Sequence, residues 1–256
     1  MVTGVPRTLV MGVLNVTPDS FSDGGRWFDP DAAIAHGLAM AEEGADVIDV
    51  GGESTRPGAE PVDDAEERRR VVPVVEALAG RVRVSVDTTK ASVAEAAVAA
   101  GATLVNDVSA SLHEVAAATG AGWVAMHMHG TPRTMQDDPR YDDVVADVAA
   151  FLADRVDAAR TAGVEEVWVD PGIGFGKTVD HNLALLRHLR RLGPDGVPLV
   201  VGTSRKSFLG RLTGGAGPDD RLEGSLATAV WAAAQGAAMV RVHDVAATAH
   251  AMKVVG

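Results

Sequence analysis

The stretch VRVSVDTTKASVAEAAVAAGATLVND, residues 82–107, contains one complete unit of the fold. A β-branched run, Val82–Val86, precedes an alanine-rich helical segment, and a second apolar run begins at Thr103. Gly101 lies between the helical segment and the second run, where a left-handed helix C-cap is expected. A strand, a helix and a second strand in this order predict a parallel β-α-β unit.

The same unit recurs along the whole chain. Eight β-branched runs alternate with helical patterns: Thr8–Leu14, Val47–Val50, Val82–Val86, Thr103–Val105, Trp123–Met126, Val167–Val169, Leu199–Val201 and Met239–Val242. Most are continuous apolar stretches, as expected for parallel strands covered on both faces. Eight such units in 256 residues predict an α/β protein, a (β/α)₈ TIM barrel forming one domain over residues 1–256. A doubly wound α/β sheet shares the alternation and is the alternative.

The helical segments carry apolar residues at three- and four-residue spacing, and several end at a glycine. The stripes are Ile34, Leu38 and Ala41; Val144, Val148, Phe151, Leu152 and Val156; Leu183, Leu186, Leu189 and Leu192; and Leu222, Leu226 and Val230. The predicted C-caps are Gly44, Gly101, Gly163, Gly193 and Gly236.

Composition excludes several classes of protein. Hydrophobic residues make up 46%, which excludes a disordered chain, and the absence of Cys excludes a disulfide framework. The net charge of −12 argues against binding to nucleic acid or to an anionic membrane. No apolar run reaches the ~18 residues of a spanning helix, and no signal pattern is present, so we expect a cytoplasmic protein.

Polar residues follow every predicted strand. In a barrel the functional groups lie just past the C-terminal ends of the strands, so these residues predict one composite site. In strand order they are Asn15; residues 51–58; Asp87; Asn106 and Asp107; residues 127–130; Asp170; residues 204–207; and residues 241–244.

Two kinds of chemistry are represented among these residues. Asp87, Asp170 and Asn106 suit a planar heterocycle rich in hydrogen-bond donors, although each aspartate could instead be a helix N-cap. The residues that follow the last two strands include several cations, which suit the binding of a phosphate or pyrophosphate. Each of these cations could instead form an ion pair on the surface. This cationic group comprises Arg205, Lys206, Arg241 and His243.

The run from Gly172 to Thr178 resembles a phosphate-binding loop, but Pro171 occupies a position where a Walker A motif requires Gly. We interpret it as a flexible rim loop that presents Phe175 and Lys177. His127 and His129 could share one face of a strand, but no third residue has the spacing of a zinc ligand, so we expect a structural or pocket-lining role.

The residues MGVLNVTPDSFSDGG, 11–25, closely resemble the opening signature of the dihydropteroate synthase family. The family's other blocks follow in the same order at residues 49–58, 85–88, 106–108, 126–136, 170–177, 202–210 and 241–245. The resemblance implies a homodimeric (β/α)₈ barrel of folate biosynthesis, a transferase that is a target of sulfonamides. It joins the pterin of 6-hydroxymethyl-7,8-dihydropterin diphosphate to p-aminobenzoate and releases pyrophosphate with the help of Mg²⁺.

The resemblance also assigns expected roles, position by position. The pterin-binding set is Asp87, Asn106, Met126, Asp170 and Lys206. The diphosphate-binding set is Asn15, Arg241 and His243, with Asn15 also the Mg²⁺ ligand. The p-aminobenzoate-binding set is Phe21, Asp23, Thr55, Arg56, Pro57, Phe175 and Ser207. The catalytic set is Asp87, Asp170, Lys206, Arg241 and His243.

One departure from the family pattern is Ser109-Ala110-Ser111, where Ser-Gly-Gly is more usual; it could shift the loop after Asn106. Two other functions are alternatives: a pterin-dependent methyltransferase on a related barrel, and a catalytically silent paralogue that binds pterins. The Arg241-x-His243 pair and the Thr55-Arg56-Pro57 loop favour the synthase over the methyltransferase. The intact signatures of both covering loops favour it over the silent paralogue.

Overall fold

A computed structural model describes residues 7–17, 29–54, 61–131 and 134–255. Its strands are β1 Leu9–Asn15, β2 Val47–Gly51, β3 Arg83–Asp87, β4 Leu104–Asp107, β5 Gly122–Met126, β6 Val167–Asp170, β7 Val200–Val201 and β8 Met239–Val242. Its helices are α1 Pro30–Glu42, α2 Asp64–Leu78, α3 Ala91–Ala99, α4 His113–Thr119, α5 Val144–Ala162, α6 Val179–Arg187, α7 Ser207–Leu212, α8 Leu222–Ala234 and α9 Val245–Val255. Short 3₁₀ turns span Leu189–Arg191 and Pro218–Asp220.

The strands form one nearly closed parallel sheet. Neighbouring strands from β1 to β6 pair with one another, β8 pairs with both β7 and β1, and an isolated parallel bridge from Val169 to Leu199 joins β6 to the residue before β7. Because β1 lies between β2 and β8, the sheet has the cyclic order of a barrel rather than the reversed order of a doubly wound sheet. The predicted TIM barrel is therefore confirmed.

Alternate residues of each strand point to opposite faces, which divides the apolar residues into two groups. The outward set packs under the helices and makes up most of the core. The inward set fills the lower part of the barrel: Met11, Val47, Leu104, Val124, Trp168, Val200 and Met239. The inward positions nearer the C-terminal ends of the strands are polar. Apolar side chains therefore fill one end of the barrel, and polar side chains line the other.

The leucine stripe at residues 183–192 does not form one helix, contrary to the prediction. Helix α6 ends at Arg187, and a 3₁₀ turn follows. A spacing of three residues matches the three residues per turn of a 3₁₀ helix better than the 3.6 of an α-helix, and Leu189 and Leu192 are both buried. Gly193 consequently does not adopt the positive φ of a left-handed cap, whereas the other four predicted cap glycines do.

The apolar stripes on α1 and α8 lie beside the buried face rather than at its centre. The fully buried positions are Ala33, Gly37 and Met40 on α1, and Ser225, Ala229 and Ala232 on α8. A Cβ atom at Gly37 would lie 2.8 Å from Leu78 Cδ1, so α1 and α2 pack too closely for larger residues there. Among the described residues, no helix is long and apolar enough to cross a membrane.

Candidate active site

Strands β2, β3, β4 and β8 bring four polar side chains together inside the mouth of the barrel. Asp49 and Arg241 lie within their strands, Asp87 is the last residue of β3, and Asn106 pairs with Asp87 in the register of β3 and β4. All four occupy inward positions, because their neighbours along each strand face the helices. Strand periodicity therefore places them on one surface.

Arg241 links the two carboxylates of this group. Its Nε donates to Asp49 Oδ2 over 2.6 Å, and its Nη2 donates to Asp87 Oδ2 over 2.7 Å. Asn106 Nδ2 donates to the same oxygen of Asp49 over 2.9 Å. Asp49 is fully buried, so its carboxylate fixes a cation and an amide from two other strands at once.

Burial and charge act in opposite directions on these groups. Burial opposes the charge of Arg241, but the carboxylates of Asp49 and Asp87 outweigh it and raise the pKa of the guanidinium. Burial raises the pKa of Asp87 to about 7, although Arg241 acts to lower it. The Asp87 carboxylate thus gains its negative charge only near neutral pH.

A second charged pair lies at the ends of β6 and β7. Asp170 Oδ1 accepts a hydrogen bond from the Gly172 backbone N–H over 2.7 Å. Lys206 Nζ donates to the Ile173 carbonyl and lies 4.7 Å from the centre of the Phe175 ring. Burial lowers the pKa of Lys206 to about 8, against the attraction of Asp170, and burial raises the pKa of Asp170. Lys206 can therefore change its charge close to physiological pH.

His243 joins this region from the end of β8. Its ring Nδ1 lies 3.1 Å from Ser204 Oγ, and its backbone N–H donates to the same hydroxyl over 3.1 Å. Ser204 follows β7, so the hydroxyl ties the last two strand ends together. The imidazole is consequently held in a fixed place beside the mouth.

Arg205 does not join the cationic group, which corrects one expectation. Its guanidinium forms two hydrogen bonds to the Asp244 carboxylate, with Nε 3.1 Å from Oδ2, and contacts Asp219 at 3.5 Å. Its backbone has a φ of 57°, in the left-handed region. The two carboxylates neutralise the charge of Arg205, so among the described residues the cations of the mouth are Lys206 and Arg241, with His243 beside them.

Lys177 also differs from its prediction, because it is only 3% exposed rather than presented at the rim. Its ammonium contacts His127 Nδ1 and the carbonyls of Gly172 and Phe175, each at 2.9 Å. Two carbonyls and one ring nitrogen supply the hydrogen bonds that a buried ammonium requires. No spacing in the sequence reveals this arrangement.

Asp49 is a site residue that the sequence interpretation missed. It lies inside the apolar run Val47–Val50, where it was counted as part of a strand. A carboxylate at a buried strand position requires a charged or hydrogen-bonding partner, and that requirement is the signal that could have identified it. The partners themselves, Arg241 and Asn106, come from far along the chain and could not be read from local sequence.

Two glycines keep the space beside these charges open. A Cβ atom at Gly51 would lie 3.5 Å from Asp87 Cβ, and one at Gly202 would lie 3.8 Å from Lys206 Nζ and 3.6 Å from Arg241 Cβ. Gly51 also separates Asn15 from Asp87 in the register of β1, β2 and β3. Larger residues at either position would occupy the approach to the charged pairs.

The remaining predicted site residues have the following places. Asn15 is the last residue of β1, and Met126 is buried at the end of β5, opposite Asp170. Phe175 is partly buried, and Ser207 is the exposed first residue of α7. Phe21, Asp23, Thr55, Arg56 and Pro57 lie outside the described residues.

The loop after Asn106 is held by Asp107, whose carboxylate accepts from the backbone N–H of Ser109, Ser111 and Leu112.

Comparison with known proteins identifies the family. Residues 11–243 match the family model described as pterin binding enzyme. The dihydropteroate synthase of Escherichia coli (strain K12) is 49% identical over 254 residues, which cover 96% of this chain and 90% of that protein. The chain belongs to the dihydropteroate synthase family.

Solved structures of the family have the same fold. The Xanthomonas albilineans enzyme with 4-aminobenzoic acid superposes with a TM-score of 0.90 at 51% identity, covering 97% of this chain and 92% of that one. The Burkholderia cenocepacia enzyme complexed with 7,8-dihydropteroate gives 0.86 at 49% identity, covering 97% and 90%. The similarity thus extends over nearly the entire barrel.

Proposed function

We propose that this chain is a dihydropteroate synthase that condenses 6-hydroxymethyl-7,8-dihydropterin diphosphate with p-aminobenzoate to give 7,8-dihydropteroate and pyrophosphate. The observation that carries the proposal is the buried group in which Arg241 bonds Asp49 and Asp87 while Asn106 bonds Asp49. It offers carboxylates, an amide and a guanidinium at one end of the barrel. The relatives that contain 4-aminobenzoic acid and 7,8-dihydropteroate support the same substrates here.

The pterin is assigned to the inner part of the mouth. Its ring edge carries several hydrogen-bond donors, and carboxylate and amide oxygens are suitable acceptors for such an edge. Asp87, Asn106 and Asp170 supply these acceptors, Lys206 supplies a donor, and the buried Met126 supplies an apolar contact. A donor-rich heterocycle is thereby preferred over an apolar ring of the same size.

The diphosphate is assigned to Arg241 in β8, His243 directly after β8, and Asn15 at the end of the neighbouring strand β1. Guanidinium hydrogen bonds stabilise the negative charge that develops on the departing pyrophosphate.

Mg²⁺ is the expected cofactor of this step. No group of three His, Cys, Asp or Glu within the described residues is arranged to hold a metal. Mg²⁺ commonly keeps several waters and binds through few protein oxygens and the substrate's phosphates, so the single amide oxygen of Asn15 at the mouth fits that donor set. When bound, the ion would supply positive charge to the leaving group.

The nucleophile of this reaction is weak. An arylamine is neutral at pH 7, but its lone pair is delocalised into the aromatic ring, so the electrophile must be activated. The bond between the pterin methylene carbon and the diphosphate oxygen breaks, and the electron pair leaves with pyrophosphate. The amine lone pair then forms the new C–N bond, and the amine loses a proton to solvent. Asp87 and Asp170 stabilise the positive charge left on the pterin.

In this mechanism the rate of pyrophosphate release depends on groups on both the pterin side and the diphosphate side of the site. Asp170→Asn removes a carboxylate from the pterin side, and Arg241→Ala removes the guanidinium from the diphosphate side. Both substitutions should slow pyrophosphate release. Unchanged release rates in both variants would exclude the dissociative mechanism.

The amine site is assigned to the outer part of the mouth, with Phe175 and Ser207. The roles of Phe21, Asp23, Thr55, Arg56 and Pro57 rest on the family resemblance alone. The homodimer, the cytoplasmic location and the role of the family as a sulfonamide target belong to the same proposal. Exposed Leu212 and Trp231, on α7 and α8, are apolar residues that a second copy of the chain could cover.

One assay separates this function from the two alternatives. The purified chain is mixed with the pterin diphosphate, p-aminobenzoate and Mg²⁺, and pyrophosphate release is followed. Release that depends on the amine supports the synthase. Binding of the pterin diphosphate without release would indicate a silent paralogue, and methyl transfer to or from a pterin would indicate a methyltransferase.

A further inference from the structure

Lys177 is a buried ammonium that the proposed mechanism does not use. Its Nζ lies 2.9 Å from His127 Nδ1, 2.9 Å from the Gly172 carbonyl, 2.9 Å from the Phe175 carbonyl and 3.4 Å from the His127 carbonyl. The side chain is 3% exposed. One charged nitrogen therefore serves as the common partner of three carbonyls and an imidazole.

The acceptors fix the chemical state of this cluster. Burial lowers the pKa of Lys177 to about 7, and below that pH the side chain is an ammonium, which has donors only. There His127 Nδ1 must be an unprotonated acceptor, and the neutral ring carries its proton on Nε2. Burial and the Lys177 charge lower the pKa of His127 to about 3, which is consistent with a neutral ring. The Gly172 carbonyl also accepts from the Phe175 N–H over 3.0 Å, but without the Lys177 donor the Phe175 carbonyl and His127 Nδ1 would each lose their bond in a buried place, which is costly.

The ammonium lies against an unusual piece of backbone, the 172–176 turn. Gly172, Gly174 and Gly176 have φ values of 64°, 86° and 63°, a conformation that other residues rarely adopt. A Cβ atom at Gly172 would lie 1.8 Å from the His127 carbonyl oxygen. The turn thus presses against the end of β5, and its carbonyls point inward to the Lys177 ammonium.

The opposite side of the same turn contacts the mouth of the barrel. The Ile173 carbonyl accepts from Lys206 Nζ, and the Phe175 ring lies 4.7 Å from that nitrogen. The Gly172 N–H donates to Asp170. A change in the path of the turn would therefore move the groups that hold Lys206 and Asp170.

Other bonds hold the outer edge of the turn independently of Lys177. Gly174 N–H donates to Asn182 Oδ1 over 2.7 Å, Gln136 Nε2 donates to the Gly174 carbonyl over 2.7 Å, and the Tyr141 hydroxyl donates to the Gly176 carbonyl over 2.9 Å. We expect the turn to remain attached when the Lys177 charge is removed, with its inner carbonyls free to reorient.

We propose that Lys177 is a positioning residue whose ammonium acts as a built-in cation, orienting the 172–176 turn so that Lys206 and Phe175 are in place for the two substrates. The inference rests on the proposed function. It assigns no contact between Lys177 and either substrate. Its effect on the reaction passes through the Ile173 carbonyl and the Phe175 ring.

The first test compares Lys177→Met with Lys253→Met, which removes an exposed lysine from α9. Lys177→Met should lower kcat/KM for the pterin diphosphate by about 10- to 100-fold, the loss typical when a supporting partner of a site is removed. It should also raise KM for p-aminobenzoate. Lys253→Met should match the wild type. Wild-type values for both substrates in Lys177→Met would overturn the proposal.

A second test asks whether a free cation can replace the side chain. In Lys177→Ala, added ammonium chloride should restore part of the lost activity, because NH₄⁺ can donate to the same carbonyls and to His127. Tetramethylammonium chloride at equal ionic strength has no N–H donors and should restore none. Equal effects of the two salts would contradict a positioning cation.

The third test begins with the folded wild-type chain and reads the protonation of His127 directly, without an activity assay. Nitrogen NMR of His127 should show an unprotonated Nδ1 and a protonated Nε2 that persist well below pH 6. In Lys177→Met the pKa of His127 should rise, because a neighbouring positive charge is lost. Protonation of wild-type His127 near its ordinary pKa would refute the proposal. A chain with the expected His127 signals but no synthase activity would refute the proposed function instead.

Discussion

Asp49→Asn is the substitution that tests the geometry of the site most sharply. Asp49 Oδ2 accepts from Arg241 Nε at 2.6 Å and from Asn106 Nδ2 at 2.9 Å, while Oδ1 has no partner among the described residues. An asparagine can keep its oxygen towards both donors and place its amide nitrogen on the unpartnered side. The change therefore removes the charge and preserves the shape.

The size of the effect follows from these two bonds. Hydrogen bonds to charged groups contribute about 1.5–3 kcal/mol and neutral ones about 0.5–1.5 kcal/mol, so the Asn106 bond, which becomes neutral, loses about 1–1.5 kcal/mol. The Arg241 bond keeps its charged donor but loses the charge of its acceptor, and the two changes together cost about 2–3 kcal/mol. Arg241 keeps its 2.7 Å bond to Asp87, which limits the loss. For a domain of this size we expect a Tm lower by about 4–12 °C. We expect kcat/KM for the pterin diphosphate to fall by about 10- to 100-fold, because Arg241 and Asn106 lose their common anchor.

The assay combines thermal unfolding with steady-state pyrophosphate release. The matched control is Asp46→Asn, which removes a carboxylate from the other end of β2. Asp46 accepts from the Val10 N–H over 2.8 Å and pairs with Arg7, away from the mouth. The control should lose stability and keep its kcat/KM. Wild-type kinetics in Asp49→Asn, or equal kinetic losses in both variants, would refute the reasoning.

Three further predictions follow from the same geometry. Because the pKa of Asp87 is raised to about 7 and that of Lys206 lowered to about 8, kcat/KM for the pterin diphosphate should rise with pH through the first value and fall through the second. Lys206→Arg should remove the fall at high pH if the cation alone is required. Gly51→Ala should fold normally, since its Cβ would lie 3.5 Å from Asp87 Cβ, but should weaken pterin diphosphate binding by about 10-fold or more, as measured by calorimetry. Ala110→Gly should leave the Tm nearly unchanged, because relief of the left-handed φ of 50° (about 1 kcal/mol) offsets the loss of a buried methyl group (about 0.8 kcal/mol).

The barrel itself was predictable because strand and helix periodicity repeat eight times. Each predicted strand was located to within one or two residues, and the polar residues at the strand ends were predicted because the fold places function there. Asp87, Asn106 and Arg241 were therefore expected at one mouth, and the structure brings them together.

Side-chain pairing was not predictable, because it depends on contacts between distant parts of the chain. Arg205 and Lys206 are adjacent in sequence, yet one bonds Asp244 and the other faces Asp170. Lys177 is polar and close to three glycines, a pattern that favours an exposed loop. In the structure it is buried, because carbonyl groups from different parts of the chain meet at its ammonium. Local sequence carries no information about such partners.

The most direct test of the account is a count of both products in one reaction. Purified chain, pterin diphosphate, p-aminobenzoate and Mg²⁺ are incubated together, and pyrophosphate and 7,8-dihydropteroate are quantified from the same samples. The account predicts that the two products form in equal amounts in the complete mixture and that no dihydropteroate forms without the amine. In the complete mixture, pyrophosphate released without dihydropteroate, or no release of pyrophosphate by the folded chain, would contradict it.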